Sequence, residues 1–181
     1  MQRLLRQGIA LGLGISVALL LGSWKGGTFA QRTGGVAARV LEPSEVLVLD
    51  GDTVRVDGRD CRLLGVDTPE KSAPWFDGAQ EPWASRASAL VRDALDGADR
   101  ITLHSRGATD TYGRDLVHLF VDGRSVSVLL VEAALAYPTV DRYGDSGFPA
   151  LADRIARRAR PPEFEQPWRW RRAHRVPHER E

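Results

Sequence analysis

The dipeptide Asp57-Gly58 constrains this fold more than any other short element. It sits between two runs rich in β-branched and apolar residues, Thr53 to Asp57 and Asp60 to Val66. An Asp-Gly pair supplies the two positive-φ positions that a two-residue hairpin turn demands. The two runs therefore read as antiparallel neighbours. Residues just before Thr53 and just after Val66 are brought to the same end of that pair. Three further strands follow the same logic. Val40 to Leu49 reads as a strand interrupted near Pro43, Ile101 to Ser105 as a fourth, and Leu116 to Val121 as a fifth that ends at a second turn, Asp122-Gly123.

Helical periodicity occupies the intervals. From Trp83 to Leu95 the apolar positions Trp83, Ala87, Leu90, Val91 and Ala94 fall on one helical face, and Asp96-Gly97 stops the run. Ser125 is placed to cap a mostly apolar helix through about Ala136, which predicts a helix central to the core. A third helix is expected from Phe148 to Arg160, with Pro149 in its first turn, Pro161-Pro162 beyond its end, and Phe148, Leu151 and Ile155 as its buried stripe. Residues 71–82 and the polar segment 106–113 read as loops. The expected fold class is α+β, mainly β: a five-stranded Greek-key barrel of the OB type with about three packed helices.

The ends of the chain differ from its middle. Residues 1–30 hold Arg3, Arg6 and Lys25 and no acid; without them the chain of 181 residues has 22 basic against 24 acidic residues, a net of −2. The run Ile9 to Leu21 is apolar, follows a positive segment and is followed by the small residue Ala30. It is shorter than the ~20 residues of a spanning helix and reads as a cleaved signal peptide, with an uncleaved membrane anchor as the alternative. Residues 31–37 read as a Gly-rich linker, 38–160 as the folded domain, and 161–181 as an Arg/Trp-rich tail. Residues 154–175 carry eight arginines against two glutamates. An acidic core with a basic tail does not describe a pure phosphate-binding module. Cys61 is the only cysteine, so no internal disulfide forms, and it reads as a small core residue. His104, His118, His174 and His178 show no metal-ligand spacing.

Chemistry gathers in two segments: Asp50-Gly51-Asp52-Thr53 followed by Arg62-Leu63-Leu64-Gly65-Val66-Asp67-Thr68-Pro69-Glu70, and Asp110-Thr111-Tyr112-Gly113-Arg114. Singly, each has an ordinary reading as a turn, a helix cap or an exposed charge. Jointly they do not, because the hairpin brings Asp52 and Asp67 toward one point. Two carboxylates that close repel unless a cation or proton lies between them. Oxygen donors of this kind suit Ca²⁺ or Mg²⁺, and an arginine pair suits a phosphate.

These elements, their order and their intervals resemble the thermonuclease family, the staphylococcal nuclease-like domain, over about residues 40 to 137. The resemblance implies the barrel fold and hydrolysis of DNA and RNA phosphodiester bonds with little sequence preference, leaving 3′-phosphates. It implies one Ca²⁺ ion held by Asp52 and Asp67 and by the Thr68 carbonyl. It implies Glu70 as general base, and Arg62 and Arg114 as the arginines that grip the scissile phosphate. Tyr112 corresponds to a tyrosine bordering the substrate, and Tyr143 to one that stacks on a base. The implied protein is a monomer that is secreted or periplasmic, or membrane-tethered if residues 1–30 stay attached.

The chain departs from the family pattern at three places. The spacing Tyr137-Pro138…Tyr143 differs, Thr111 stands where a lysine is known, and residues 161–181 have no counterpart. The tail sequence Trp168-Arg169-Trp170-Arg171-Arg172 reads as a stacking and phosphate-neutralising segment, as a membrane-surface segment, or as Trp168 packed on the barrel beneath solvated arginines. A noncatalytic or membrane-tethered nucleic-acid-binding barrel is the alternative function. It is disfavoured because every metal-binding and catalytic position carries the family's residue.

Overall fold

The computed structural model describes residues 35–176. The leader or anchor expected at 1–30, most of the linker, and His178 lie outside the described residues. Among those described, no helix is long and apolar enough to cross a membrane.

The strands are β1 (Ala37–Leu41), β2 (Val46–Val48), β3 (Thr53–Val56), β4 (Arg59–Leu63), β5 (Val66–Asp67), β6 (Ile101–Thr109), β7 (Asp115–Val121), β8 (Arg124–Ser125) and β9 (Tyr137–Pro138). The helices are α1 (Trp83–Asp96), α2 (Val126–Glu132), α3 (Val140–Tyr143), α4 (Pro149–Arg158) and α5 (Pro167–Ala173). The main sheet runs β1-β6-β7-β4-β3-β2, with β8 beside β7 and β4 parallel to β7. Its two edges, β1 and β2, are halves of one run broken by the 3₁₀ turn Pro43–Glu45. The chain thus ties one edge to the other, and the sheet curls into a half-barrel consistent with an OB-like fold. The expected five strands survive as its long members, the first of them broken where Pro43 predicts.

Asp57 and Gly58 both have positive φ, 51° and 75°, as the hairpin requires. Thr53 pairs with Arg62 and Val56 with Arg59. Asp122 and Gly123 repeat the turn between β7 and β8, with φ of 48° and 76°.

Helix α1 buries Ala84, Ala87, Ser88, Val91 and Leu95, one face at helical spacing. Trp83, Leu90 and Ala94 lie at the margin of that face. Helix α2 is central as expected, with Val126, Leu130 and Val131 fully buried. It ends earlier than the predicted Ala136, because Ala134 adopts φ 57°. The N–H of Ala134 donates to the Val131 carbonyl and that of Leu135 to the Leu130 carbonyl. This is a Schellman ending built on alanine rather than the usual glycine, so the sequence carries no stop signal there. Ile155 of α4 is fully buried, with Leu151 partly so. Strand β6 runs four residues past the expected Ser105 by way of a bulge between Ser105 and Thr109.

Among the described residues five helices form rather than about three. The short α3 and the tail helix α5 are the additions. The tail packs on residues 71–82: Trp170 is buried against Phe76 with ring centroids 5.3 Å apart, and Phe164 is buried between Trp83 and Tyr137. Trp170, not Trp168, is therefore the anchoring indole. Backbone hydrogen bonds from Asp77 N–H to His174 O and from Val176 N–H to Trp75 O fix the same contact.

Candidate functional site

The hairpin does for the carboxylates what its geometry predicts. Leu63 N–H donates to the Asp52 carbonyl across the β3–β4 pair at 2.8 Å, which holds Asp52 at the strand end. After the turn at Leu64-Gly65, β5 carries Asp67 back beside it. Thr68 N–H donates to Asp52 Oδ2 at 2.7 Å. Gly65 has φ +83°, and a Cβ there would stand 2.6 Å from Ile155 Cδ1, so any side chain at this turn is strained and crowds α4. Gly51 is held to the same residue type by close packing: a Cβ would lie 2.8 Å from that of Ala87 in α1 and 3.0 Å from that of Thr68.

Asp52, Asp67 and Thr68 are all buried. Arg62 lies between the two carboxylates, donating to Asp52 Oδ1, to Asp67 Oδ1 at 2.9 Å and to the Val66 carbonyl at 3.2 Å. Burial opposes its charge, but Asp52 and Asp67 more than offset this and hold it above its ordinary pKa. Glu70 completes the group from the loop after β5. Burial pushes its carboxyl up to about 7, against a nearby guanidinium that pulls it down. Asp50 is likewise pushed up to about 6, by burial and then by Asp52.

Arg114 approaches from the other segment. It is braced by Asp110, whose Oδ2 accepts from its Nε at 2.7 Å, and its Nη1 reaches the Thr53 hydroxyl at 3.4 Å. Asp110 also accepts from the N–H groups of Tyr112 and Arg114, closing the turn that aims the guanidinium. The Tyr112 ring lies 5.5 Å from the Arg114 guanidinium carbon and is 82% exposed. Tyr143 is not placed among the carboxylates. It stands on α3, 67% exposed, with Arg142 against its ring.

A model of the family described as staphylococcal nuclease homologue matches residues 60–155. The chain belongs to the staphylococcal nuclease family. It is 35% identical over 105 residues to "Thermonuclease" of Staphylococcus intermedius, covering 53% of this chain and 61% of that protein. It is 33% identical over 93 residues to "Endonuclease YncB" of Bacillus subtilis (strain 168), covering 49% and 43%. It is also 33% identical over 125 residues to "Succinoglycan biosynthesis protein ExoI" of Rhizobium meliloti (strain 1021), covering 66% and 64%. The chain thus spans less than two thirds of the length of each of these relatives. Arg62, Asp67, Thr68, Glu70, Tyr112, Arg114 and Tyr143 fall within the family match; Asp52 lies ahead of it and the tail beyond it.

The staphylococcal nuclease family is associated with Ca²⁺, and the donors here fit a hard cation in kind. Two buried carboxylates converge, and the Thr68 hydroxyl beside them is a buried oxygen with no hydrogen-bond partner. Among the described residues no group of three or more His, Cys, Asp or Glu side chains is gathered to hold a metal. An ion here would therefore take its remaining oxygens from a carbonyl, water or substrate.

Sequence reading misses two residues of this site. Arg171 of α5 crosses from the tail to donate to Asp67 Oδ2 at 2.9 Å, to Asp67 Oδ1 at 3.1 Å and to Glu70 Oε1. Two guanidiniums thus face three carboxylates. Its partner residues are 104 and 101 positions away, and a run of arginines carries no local sign of such a contact. Gln80 is the other. Its side-chain carbonyl accepts from Glu70 N–H at 3.1 Å, and its amide donates to the Glu165 carbonyl at 2.7 Å. Buried between them, it fixes the backbone of Glu70 and ties it to the tail. Cys61, by contrast, is the core residue expected: it is buried, and burial pushes its thiol up to about 11.

Proposed function

We propose that this protein is an exported, metal-dependent nuclease that hydrolyses phosphodiester bonds of DNA and RNA with little sequence preference, releasing 3′-phosphates. The observation that carries the reading is the meeting of Asp52, Arg62 and Asp67 at one point, with Glu70 joined to Asp67 through Arg171 and Arg114 beside Thr53. The relatives named thermonuclease and endonuclease support the same class. Asp52, Asp67 and the Thr68 carbonyl would hold one Ca²⁺ ion, which supplies Lewis-acid stabilisation of charge on the phosphoryl oxygens when bound.

The chain's own residues account for the rest. Glu70 accepts the proton of the attacking water. Its raised pKa, set by burial first, makes it a better base than an exposed carboxylate. Arg62 and Arg114 donate to the non-bridging oxygens as negative charge builds there. The water oxygen bonds to phosphorus, the bond to the 5′-oxygen breaks, and that oxygen takes a proton from solvent while Arg114 helps the leaving group by donating a hydrogen bond to it. Tyr112 borders the substrate.

Residues 1–30 supply export, or a tether if retained, and a Ca²⁺ requirement suits a site outside the cytosol, where calcium fills weaker sites. The test is incubation of the full chain with DNA and with RNA in Ca²⁺, Mg²⁺ and chelator, followed by end-group analysis. Calcium-dependent fragments bearing 3′-phosphates are expected. Undiminished cleavage in chelator, or 5′-phosphate ends, would sink the mechanism.

A further inference from the structure

Helix α5 does more than deliver Arg171. One turn before it, Trp168 is 38% exposed on the same helix. The Arg142 guanidinium carbon stands 5.3 Å from the Trp168 ring centroid and 5.3 Å from that of Tyr143. Arg169 stands 5.2 Å from the Trp168 ring on its own account. Arg142 and Arg169 form no ion pair with a carboxylate among the described residues, unlike Arg62, Arg114 and Arg171. Residues 166–175 hold four arginines and no acid. Two exposed aromatic faces interleaved with unpaired guanidiniums therefore form one surface, built from α3 and α5.

We propose that Trp168, Arg142, Arg169 and Tyr143 form a stacking shelf for single-stranded nucleic acid, guiding the strand toward the carboxylate cluster. The inference rests on the nuclease reading for its direction, because Arg171, three residues from Trp168, touches Asp67 and Glu70. Residues three apart on a helix share a face, so a base seated on Trp168 lies one helical turn from the residue that contacts the cluster. An indole face offers a base the same kind of contact it now gives a guanidinium. A base takes the place of one arginine, and the displaced guanidinium is left beside the adjoining phosphate. Every base has a π-face, so such a shelf favours unpaired strands without choosing sequence. A duplex keeps its bases stacked internally and gains only the phosphate contacts. Trp168 and Arg169 lie beyond the family match.

The test is binding by the full chain in chelator, where the proposed chemistry is silent. A labelled single-stranded thymidine 12-mer, a duplex of the same length and anionic phosphatidylserine vesicles are titrated separately. Trp168→Ala is expected to weaken single-strand binding by roughly 5- to 150-fold, while Trp168→Phe keeps most of it and duplex binding changes little. The Arg142→Gln/Arg169→Gln pair, a surface change, should lower the salt slope for the single strand by about 1.4. Unchanged single-strand affinity in Trp168→Ala and in the double arginine variant overturns the shelf. So does binding to vesicles without binding to the 12-mer. Should Trp168→Ala fail to fold, the double variant decides alone. Failure of the nuclease reading is separable: a protein that cleaves in no metal, yet loses single-strand affinity in these variants, keeps the shelf and loses the enzyme.

Discussion

Replacing Arg171 with Gln tests how the tail is coupled to the site. The guanidinium contacts both oxygens of Asp67 and one of Glu70, and its side chain is 34% exposed. Removing one partner of a fully buried pair costs about 3–5 kcal/mol. Exposure of a third of the side chain screens part of that, which leaves roughly 2–3 kcal/mol. Among the described residues Arg62 is then the one guanidinium left in contact with Asp52 and Asp67, and Glu70 loses its contact with Arg171. In chelator the variant should melt about 4–12 °C below the wild type, given a shift of roughly 2–4 °C per kcal/mol for a chain of this size. Calcium should narrow the gap, because the variant has lost the guanidinium that competes for Asp67. Thermal unfolding followed by circular dichroism, in chelator and then across a calcium series, reads both effects. An equal deficit with and without calcium would refute the competition, and no deficit in chelator would refute the buried contact itself.

Three further outcomes follow from particular residues. His118 is buried, and burial holds it down at about 4, so it stays neutral in the fold while the unfolded residue protonates near 6.5. Its contribution is present above pH 6.5 and is lost as pH falls toward 4, by up to roughly 3 kcal/mol; denaturant melts of His118→Phe across pH 4–7 should show a shallower acid loss, and an unchanged slope would contradict this. Glu70 acts in the opposite sense in chelator: its folded value of about 7 lies above its ordinary 4.5, so its contribution is present below pH 4.5 and is lost as pH rises through 7. Glu70→Gln should therefore steepen the net loss on acidification, and a shallower loss would reverse the assigned direction. Gly65→Ala places a Cβ 2.6 Å from Ile155 Cδ1 at φ +83°; the left-handed penalty and overpacking together predict a loss of about 2–4 kcal/mol, and a wild-type melting temperature would show that the turn has room.

What the sequence made legible was local chemistry with a short geometric reach. Asp57-Gly58 announces its turn because only a few residues accept two positive φ values, and the hairpin, with the second turn at Leu64-Gly65, brings Asp52 to Asp67. The Asp110 turn is legible for the same reason, since one carboxylate holds the N–H groups of Tyr112 and Arg114 and the Arg114 guanidinium. Tertiary features left weaker marks. Helix α2 stops on Ala134 in a conformation that alanine rarely adopts, so the ending is imposed by packing rather than by residue type. Strand β6 continues through a polar stretch because β7 pairs with it across a bulge. The resemblance implies Tyr143 at the substrate; the Arg142 that it shares with Trp168 follows from α3 and α5, neither of which has a strong periodic signal. Arg171 is the extreme case: nothing in Trp170-Arg171-Arg172 distinguishes the arginine that enters the cluster from the ones beside it.

The central claim is that the buried cluster performs phosphodiester hydrolysis with Glu70 as its base. Its most direct test is the single-turnover rate on a single-stranded DNA in saturating Ca²⁺ for the wild type and for Glu70→Gln, with DNA affinity measured alongside in chelator. The account predicts calcium-dependent cleavage that falls by about 10²–10⁴-fold in the variant, with affinity for DNA retained. A folded wild-type protein that binds DNA and does not cleave it, or a variant that cleaves at the wild-type rate, would contradict the claim.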